Sequence, residues 1–131
     1  ELFKAAVVAV PLLDMLRFHK FLIGRYWVSE YGSSDNEEQF KYIFKYSPYQ
    51  NISKNGKFPA ALITAGEHDS RVHPMHAKKM VAALQYENRS DNPIFLWVDT
   101  KAGHGQGKST QARIHEAAME LGFFLKMLGV E

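Results

Sequence analysis

"AALITAGEHDSRVHPMHAKKMVAAL", residues 60–84, is the stretch from which the architecture of this chain is read. Its first seven residues are apolar without alternation. That is the pattern of a strand covered on both faces, and so of a parallel sheet beneath helices. A polar turn, residues 67–73, follows. Pro74 then suits a first helical turn, and Ala77, Met80, Val81 and Leu84 fall three or four residues apart on one helix face.

The same grammar recurs on both sides. "AAVVAV" (5–10) and "IFLWVD" (94–99) are two more unbroken apolar runs and read as buried strands. Ser34 with Glu37 three places on has the spacing of a capping box, which predicts a helix led by Phe40, Ile43 and Phe44. Ser109 or Thr110 would cap a last helix that sets Ile114, Ala118, Leu121, Leu125 and Leu128 on one face and stops at Gly129. "NISKNGKFP" and "YENRSDNP" read as surface turns, and there is no internal repeat. Strands alternating with helices give an α/β architecture, parallel strands flanked by helices, with right-handed crossovers. A first strand that starts near residue 5, with no helix ahead of it, leaves an apolar edge uncovered. The expectation is that upstream strands lie there, and that a chain opening on Glu1 is a piece of something longer.

Composition narrows the functional classes. At 131 residues with 46% hydrophobic content there is material for one core, not two. The formal net charge of +2 is small and its charges are interspersed, so nothing asks for nucleic acid or an anionic membrane. No apolar stretch approaches the roughly 20 residues of a membrane span. Zero cysteines exclude thiolate chemistry and accord with a reducing compartment.

The turn "KAGHGQGKST", residues 101–110, invites comparison with a phosphate-binding loop, because Gly107-Lys108-Ser109 supplies the end of G-x-x-x-x-G-K-[ST]. The start fails: position 102 is alanine, and Gly103 leaves three residues before Gly107, too few for the nest of amides. A different chemistry fits better. In an open parallel sheet, reactive groups gather in loops at the carboxyl ends of strands. The loop after the second strand carries Asp69 and the loop after the third carries His104, 35 residues later. An acid and then a histidine at successive strand ends is the second half of the Ser, Asp, His order of an α/β-hydrolase. Gly103 and Gly105 would let the backbone bend sharply around the imidazole. On residue types alone, Asp69 serves equally as a cap for the helix near Pro74, and His104 as a turn histidine.

Four longer segments bear on that choice: "LLDMLRFHKFLIGRYWVSEYG" (12–32), "KYIFKYSPYQNI" (41–52), "HDSRVHPMHAKKM" (68–80) and "DTKAGHGQGK" (99–108). Together, and in this order, they resemble the C-terminal part of the catalytic domain of the prolyl oligopeptidase family of serine peptidases. The likeness runs nearly end to end. It implies the C-terminal part of an α/β-hydrolase fold, with residues 1–131 as one partial domain. It also implies an endopeptidase that cuts short peptides after proline and needs no cofactor or metal. His104 would be the general base and Asp69 its orienting acid. Arg71 matches the arginine that binds a carbonyl of the substrate, although by residue type alone it could pair with an acid such as Glu67. Trp27 matches the tryptophan that stacks on the proline ring, though a core tryptophan is the commoner use of that residue. Tyr31 and Val72 match further pocket walls, and Leu12 another. The partners implied are a proline-containing peptide and the upstream part of the same peptidase, with no nucleic acid and no membrane, in a cytoplasmic setting.

The chain departs from the family's pattern in several places. Glu67 and Ser70 stand where aspartates are common, and Arg25 and Tyr26 before Trp27 are unusual. No G-x-S-x-G occurs in the 131 residues, so the nucleophile elbow is not among them; nor is the β-propeller that gates the family's active site. The isolated chain is therefore expected to be inactive. A proline-peptide-binding or truncated hydrolase module without catalysis, or another serine peptidase or acyl hydrolase of the same fold, are the alternatives. His19, His68, His73, His76 and His115 read as structural or surface residues. His73 and His76 lie only three apart, yet no third ligand suggests a metal.

Overall fold

Three parallel strands form one sheet in the order β1-β2-β3: β1 is Ala5–Ala9, β2 Ala60–Gly66 and β3 Ile94–Asp99. The structure, a computed structural model, describes residues 2–105 and 108–130. Gly107, the glycine of the phosphate-loop comparison, lies outside the described residues together with Gln106. Helices α1 (Val28–Tyr31) and α2 (Glu37–Tyr46) fall between β1 and β2. Helix α3 (Met75–Glu87) joins β2 to β3, and α4 (Thr110–Leu128) follows β3. The chain thus has the α/β architecture read from its sequence.

Every residue of β2 is buried, and side-chain alternation explains how. Ala61, Ile63 and Ala65 face one way and pack with Ala77 and Val81 of α3 and with Ile94; Met80 and Leu84 lie against this cluster. Ala60 and Leu62 face the other way onto Phe123 of α4, with Met119 and Met127 alongside. A third cluster, Met15, Phe18 and Ile43, is bordered by Leu12, Leu16, Trp27 and Val28. It anchors the long connection between β1 and β2, each large side chain contributing about 1.5–3 kcal/mol on burial.

Four local expectations are corrected. The unbroken run of β3 is not covered on both faces: Phe95 and Leu96 are exposed, because β3 is an edge strand of the described sheet. The cap of α2 is Asn36, whose side chain accepts from Gln39 N at 3.0 Å, while Ser34 Oγ donates to Leu16 O. Of the apolar face expected on α2, only Ile43 is buried; Phe40 and Phe44 stack on each other at the surface. In α4 the expected apolar face points outward. Ile114, Leu121, Leu125 and Leu128 are exposed, and the bulkier set of Met119, Phe123 and Met127 meets the sheet instead. The ends of α4 are as read, with Ser109 Oγ accepting from Ala112 N and Gly129 closing the helix in the left-handed region at φ 72°.

Candidate active site

The ladder between β2 and β3 sets the geometry of the site. Gly66 and Asp99 are register partners, so the loops after both strands leave the sheet from the same rung. Main-chain bonds then tie the loops together: Glu67 N donates to Asp99 O at 2.9 Å and His68 N to Ala102 O at 3.1 Å. The approach is so close that a Cβ on Gly66 would stand 2.3 Å from Gly103 O. Glycine at 66 is therefore a requirement of the site, and one that motif reading did not single out. The converse holds at Gly103, whose Cβ would meet only His68 O at 3.5 Å, whereas Gly105 does need its freedom at φ 83°.

Within this frame the two candidate residues meet. Asp69 Oδ2 lies 2.7 Å from His104 Nδ1, and the acid's side chain is 1% exposed against 27% for the histidine. Asp69 Oδ1 accepts from Arg71 N at 2.8 Å and Val72 N at 2.9 Å. With the acid as a carboxylate, Oδ2 is an acceptor as Oδ1 is. The Oδ2 contact then places the imidazole proton on Nδ1 and leaves the Nε2 lone pair available as a base. Asp69 does not cap α3, whose first residue follows Pro74.

His104 opens into a cleft of about 380 Å³ that is also lined by Leu12, Trp27, Tyr31, Arg71 and Val72. All six residues singled out in the sequence for catalysis or substrate binding, together with Leu12, are thus either in this cleft or, for Asp69, directly behind it. Trp27 serves two purposes, packing on the Met15, Phe18 and Ile43 cluster while facing the cleft. Tyr31 is held edge-on against Phe18, ring centroids 5.7 Å apart. The ion pair considered for Arg71 does not form: Glu67 pairs with Lys78 at 2.8 Å, and the guanidinium has no ion-pair partner among the described residues. Two lining residues escaped the sequence reading, Val10 and Glu30. Val10 stands at φ 43°, a strained conformation for a β-branched residue, and nothing in its apolar surroundings in the sequence signals it.

The neighbouring groups fit other duties. Lys108 Nζ pairs with Glu116 at 2.7 Å and lies over the Trp97 ring, and Ser109 caps α4, so both residues of the phosphate-loop ending are engaged structurally. His73 Nδ1 accepts from Met75 N and His76 Nδ1 from Asp14 N, which turns both imidazoles toward the main chain. Among the described residues no three acidic, histidine or cysteine side chains converge as a metal site.

A parallel sheet with helices on both faces, carrying a buried acid after one strand and a histidine after the next, is the architecture of an α/β-hydrolase catalytic domain. The sequence profile of the prolyl oligopeptidase family matches residues 1–131, and the chain belongs to that family. It is 47% identical over 129 residues to prolyl oligopeptidase A of Galerina marginata, covering 98% of this chain and 18% of that protein. A solved prolyl endopeptidase superposes with a TM-score of 0.94 at 40% identity, over 98% of this chain and 19% of the other. Prolyl oligopeptidase B of Galerina marginata, solved with a 35-residue hydrolysis and macrocyclization substrate, superposes with a TM-score of 0.92 at 40% identity. In that comparison 98% of this chain and 18% of the other is covered. The chain spans about a fifth of the length of the relatives it matches.

Proposed function

We propose that this chain is the C-terminal part of the catalytic domain of a serine endopeptidase that cuts short peptides on the carboxyl side of proline. In this reading the nucleophilic serine and its oxyanion hole come from an upstream part of the same peptidase. The observation that carries the reading is the 2.7 Å contact between His104 Nδ1 and the buried Asp69, opening into the cleft that holds Trp27 and Arg71.

The chemistry follows from that contact. His104 Nε2 takes the serine proton as the oxygen attacks the scissile carbonyl, and returns it to the leaving amine when the C–N bond breaks. Asp69 stays ionised throughout, held by the Arg71 and Val72 amides, and stabilises the transient imidazolium. Proline offers no side-chain donor, so the flat face of Trp27, with Tyr31, Val72 and Leu12 around it, selects the ring by shape and burial. The free fork of Arg71 anchors a substrate carbonyl beside it. The exposed apolar stripe of α4 and the short share of its relatives' length that the chain spans both accord with an upstream partner segment. A cytoplasmic setting accords with the lack of cysteine.

The test is hydrolysis of a chromogenic proline peptide by the full-length peptidase and by residues 1–131 alone. Turnover by the full-length protein only, lost on the order of 10⁴-fold in Asp69→Asn, is the expected result. Turnover by the isolated chain that disappears in His104→Ala overturns the division of the site between two segments.

A further inference from the structure

A buried polar cluster behind the cleft takes no part in the chemistry above. Asp14, entirely buried, lies five residues beyond β1. Its backbone N–H donates to His76 Nδ1 at 3.1 Å, its Oδ1 accepts from Gln50 Nε2 at 2.8 Å, and its Oδ2 pairs with Lys79 Nζ at 2.5 Å. The flanking main chain is bound as well. Tyr49 N donates to Leu13 O at 3.0 Å, and Met15 N donates to Ser47 Oγ at 3.0 Å. Ser47 Oγ in turn meets Gln50 Oε1. Three consecutive residues, 13–15, are thus gripped from two separate elements, α3 and the turn after α2.

A buried ion pair is weak evidence for stability, because apolar residues of the same shape often do as well. What it offers is direction. The elements joined here are those that carry the two walls of the cleft. Leu12 precedes Asp14 by two residues, and Met15, the next residue, packs in the cluster that supports Leu12 and Trp27. On the other side, α3 begins three residues after Val72, and His76 and Lys79 lie in its first two turns. Resting on the peptidase reading, we propose that Asp14, His76 and Lys79 are positioning residues. They hold the Leu12–Trp27 wall in register with the Arg71–Val72 wall, and so set the affinity of the cleft for the proline-containing peptide.

The state of each group suits that task. Burial pushes His76 down to about 4, partly offset by the Asp14 charge, so the ring remains a neutral acceptor for the Asp14 amide at physiological pH. Burial of Asp14 would raise its pKa, but the bonds from Lys79 and Gln50 outweigh it and hold the carboxyl below its ordinary value. Lys79 also lies over the Tyr49 ring at 4.0 Å, which fixes the cation from a second side.

The test uses the full-length peptidase, with kcat and KM for a chromogenic proline peptide and, separately, the rate of inactivation by a small fluorophosphonate. That reagent needs the nucleophile and its base but not the proline pocket. His76→Leu leaves the Asp14 amide without its acceptor. The expected result is a rise in KM of roughly tenfold with kcat and the inactivation rate within twofold of wild type, and recovery of KM in His76→Gln. Asp14→Asn, which keeps the shape, serves where His76→Leu does not fold, and should shift KM the same way. Unchanged KM in folded variants, or a parallel fall of kcat and inactivation rate, overturns the positioning role. A wild-type protein that fails to cleave the proline peptide while still reacting with the fluorophosphonate overturns the peptidase reading itself, so the two failures are distinguishable.

Discussion

Replacing Gly66 with alanine tests whether the separation of acid and base is set by main-chain contact between the two loops. A Cβ at this position would lie 2.3 Å from Gly103 O and 2.6 Å from Ala102 O, and neither is a side chain that can swing aside. The closest contact must open to at least 3.0 Å, a displacement of 0.7 Å or more, and His104 is the very next residue. Moved by that amount along the contact, the 2.7 Å bond between His104 Nδ1 and Asp69 Oδ2 leaves hydrogen-bonding range. A misplacement near 1 Å costs about 10²-fold in rate, and overpacking of this kind about 1–3 kcal/mol in stability. The assay is kcat for a proline peptide in the full-length peptidase, with Gly103→Ala as the control. A Cβ at 103 meets only His68 O at an ordinary 3.5 Å, so that variant should stay within a few-fold of wild type. Equal activities for Gly66→Ala and wild type would refute the reasoning, as would a Gly103→Ala defect as large as that of Gly66→Ala.

Three further outcomes follow from the same geometry. His76 sits at about 4 in the fold against an ordinary 6.5, so the unfolded chain takes the proton first. Stability should fall as pH drops from about 6.5 to about 4, by up to about 1.4 kcal/mol per pH unit; urea midpoints at pH 7.5 and 5 should differ less in His76→Gln than in wild type. Asn36→Ala removes the side chain that receives Gln39 N and should cost about 1 kcal/mol by urea denaturation, whereas Ser34→Ala, which loses only the bond to Leu16 O, should leave the helicity of α2 intact. Trp27→Ala should raise KM for a proline peptide by about 10-fold or more and also lower the melting temperature, because the same ring faces the cleft and covers the Met15, Phe18 and Ile43 cluster. A rise in KM without any thermal effect would contradict its double placement.

How much of this could be read from the residues depends on whether the signal was local. The bounds of β2 and β3 and the buried face of α3 were legible, because a run of apolar residues and a three-to-four spacing are properties of the segment itself. Helix α4 carries two apolar stripes, and periodicity cannot say which one the sheet will take; it took the one with Phe123 and its methionine neighbours. The start of α2 was misplaced because "SSDNEEQ" offers two caps at the same spacing, and Leu16 O, distant in sequence, claims the hydroxyl of the first. Strand order brought Asp69 and His104 forward as a pair but left a helix cap and a turn histidine equally open; preferring acid and base, like the pocket roles proposed for Trp27 and Arg71, needed whole segments to be compared. Gly66, Val10 and Glu30 were not legible at all. Their importance comes from what the fold brings beside them, in the case of Gly66 a carbonyl 37 residues away.

The shared rung of Gly66 and Asp99 has a consequence for tolerance to change. Because the ladder fixes where both reactive loops depart, the length of chain between them is nearly irrelevant to their meeting. The turn at residues 88–93 lies at the opposite rim of the sheet, where Asn88 donates to Asn92 O within it and Ser90 and Asn92 tie it to Phe58 O ahead of β2. An insertion at the tip of that turn should therefore leave the Asp69–His104 contact in place, whereas one methyl group on Gly66, at the other rim, must displace the Gly103 carbonyl beside it.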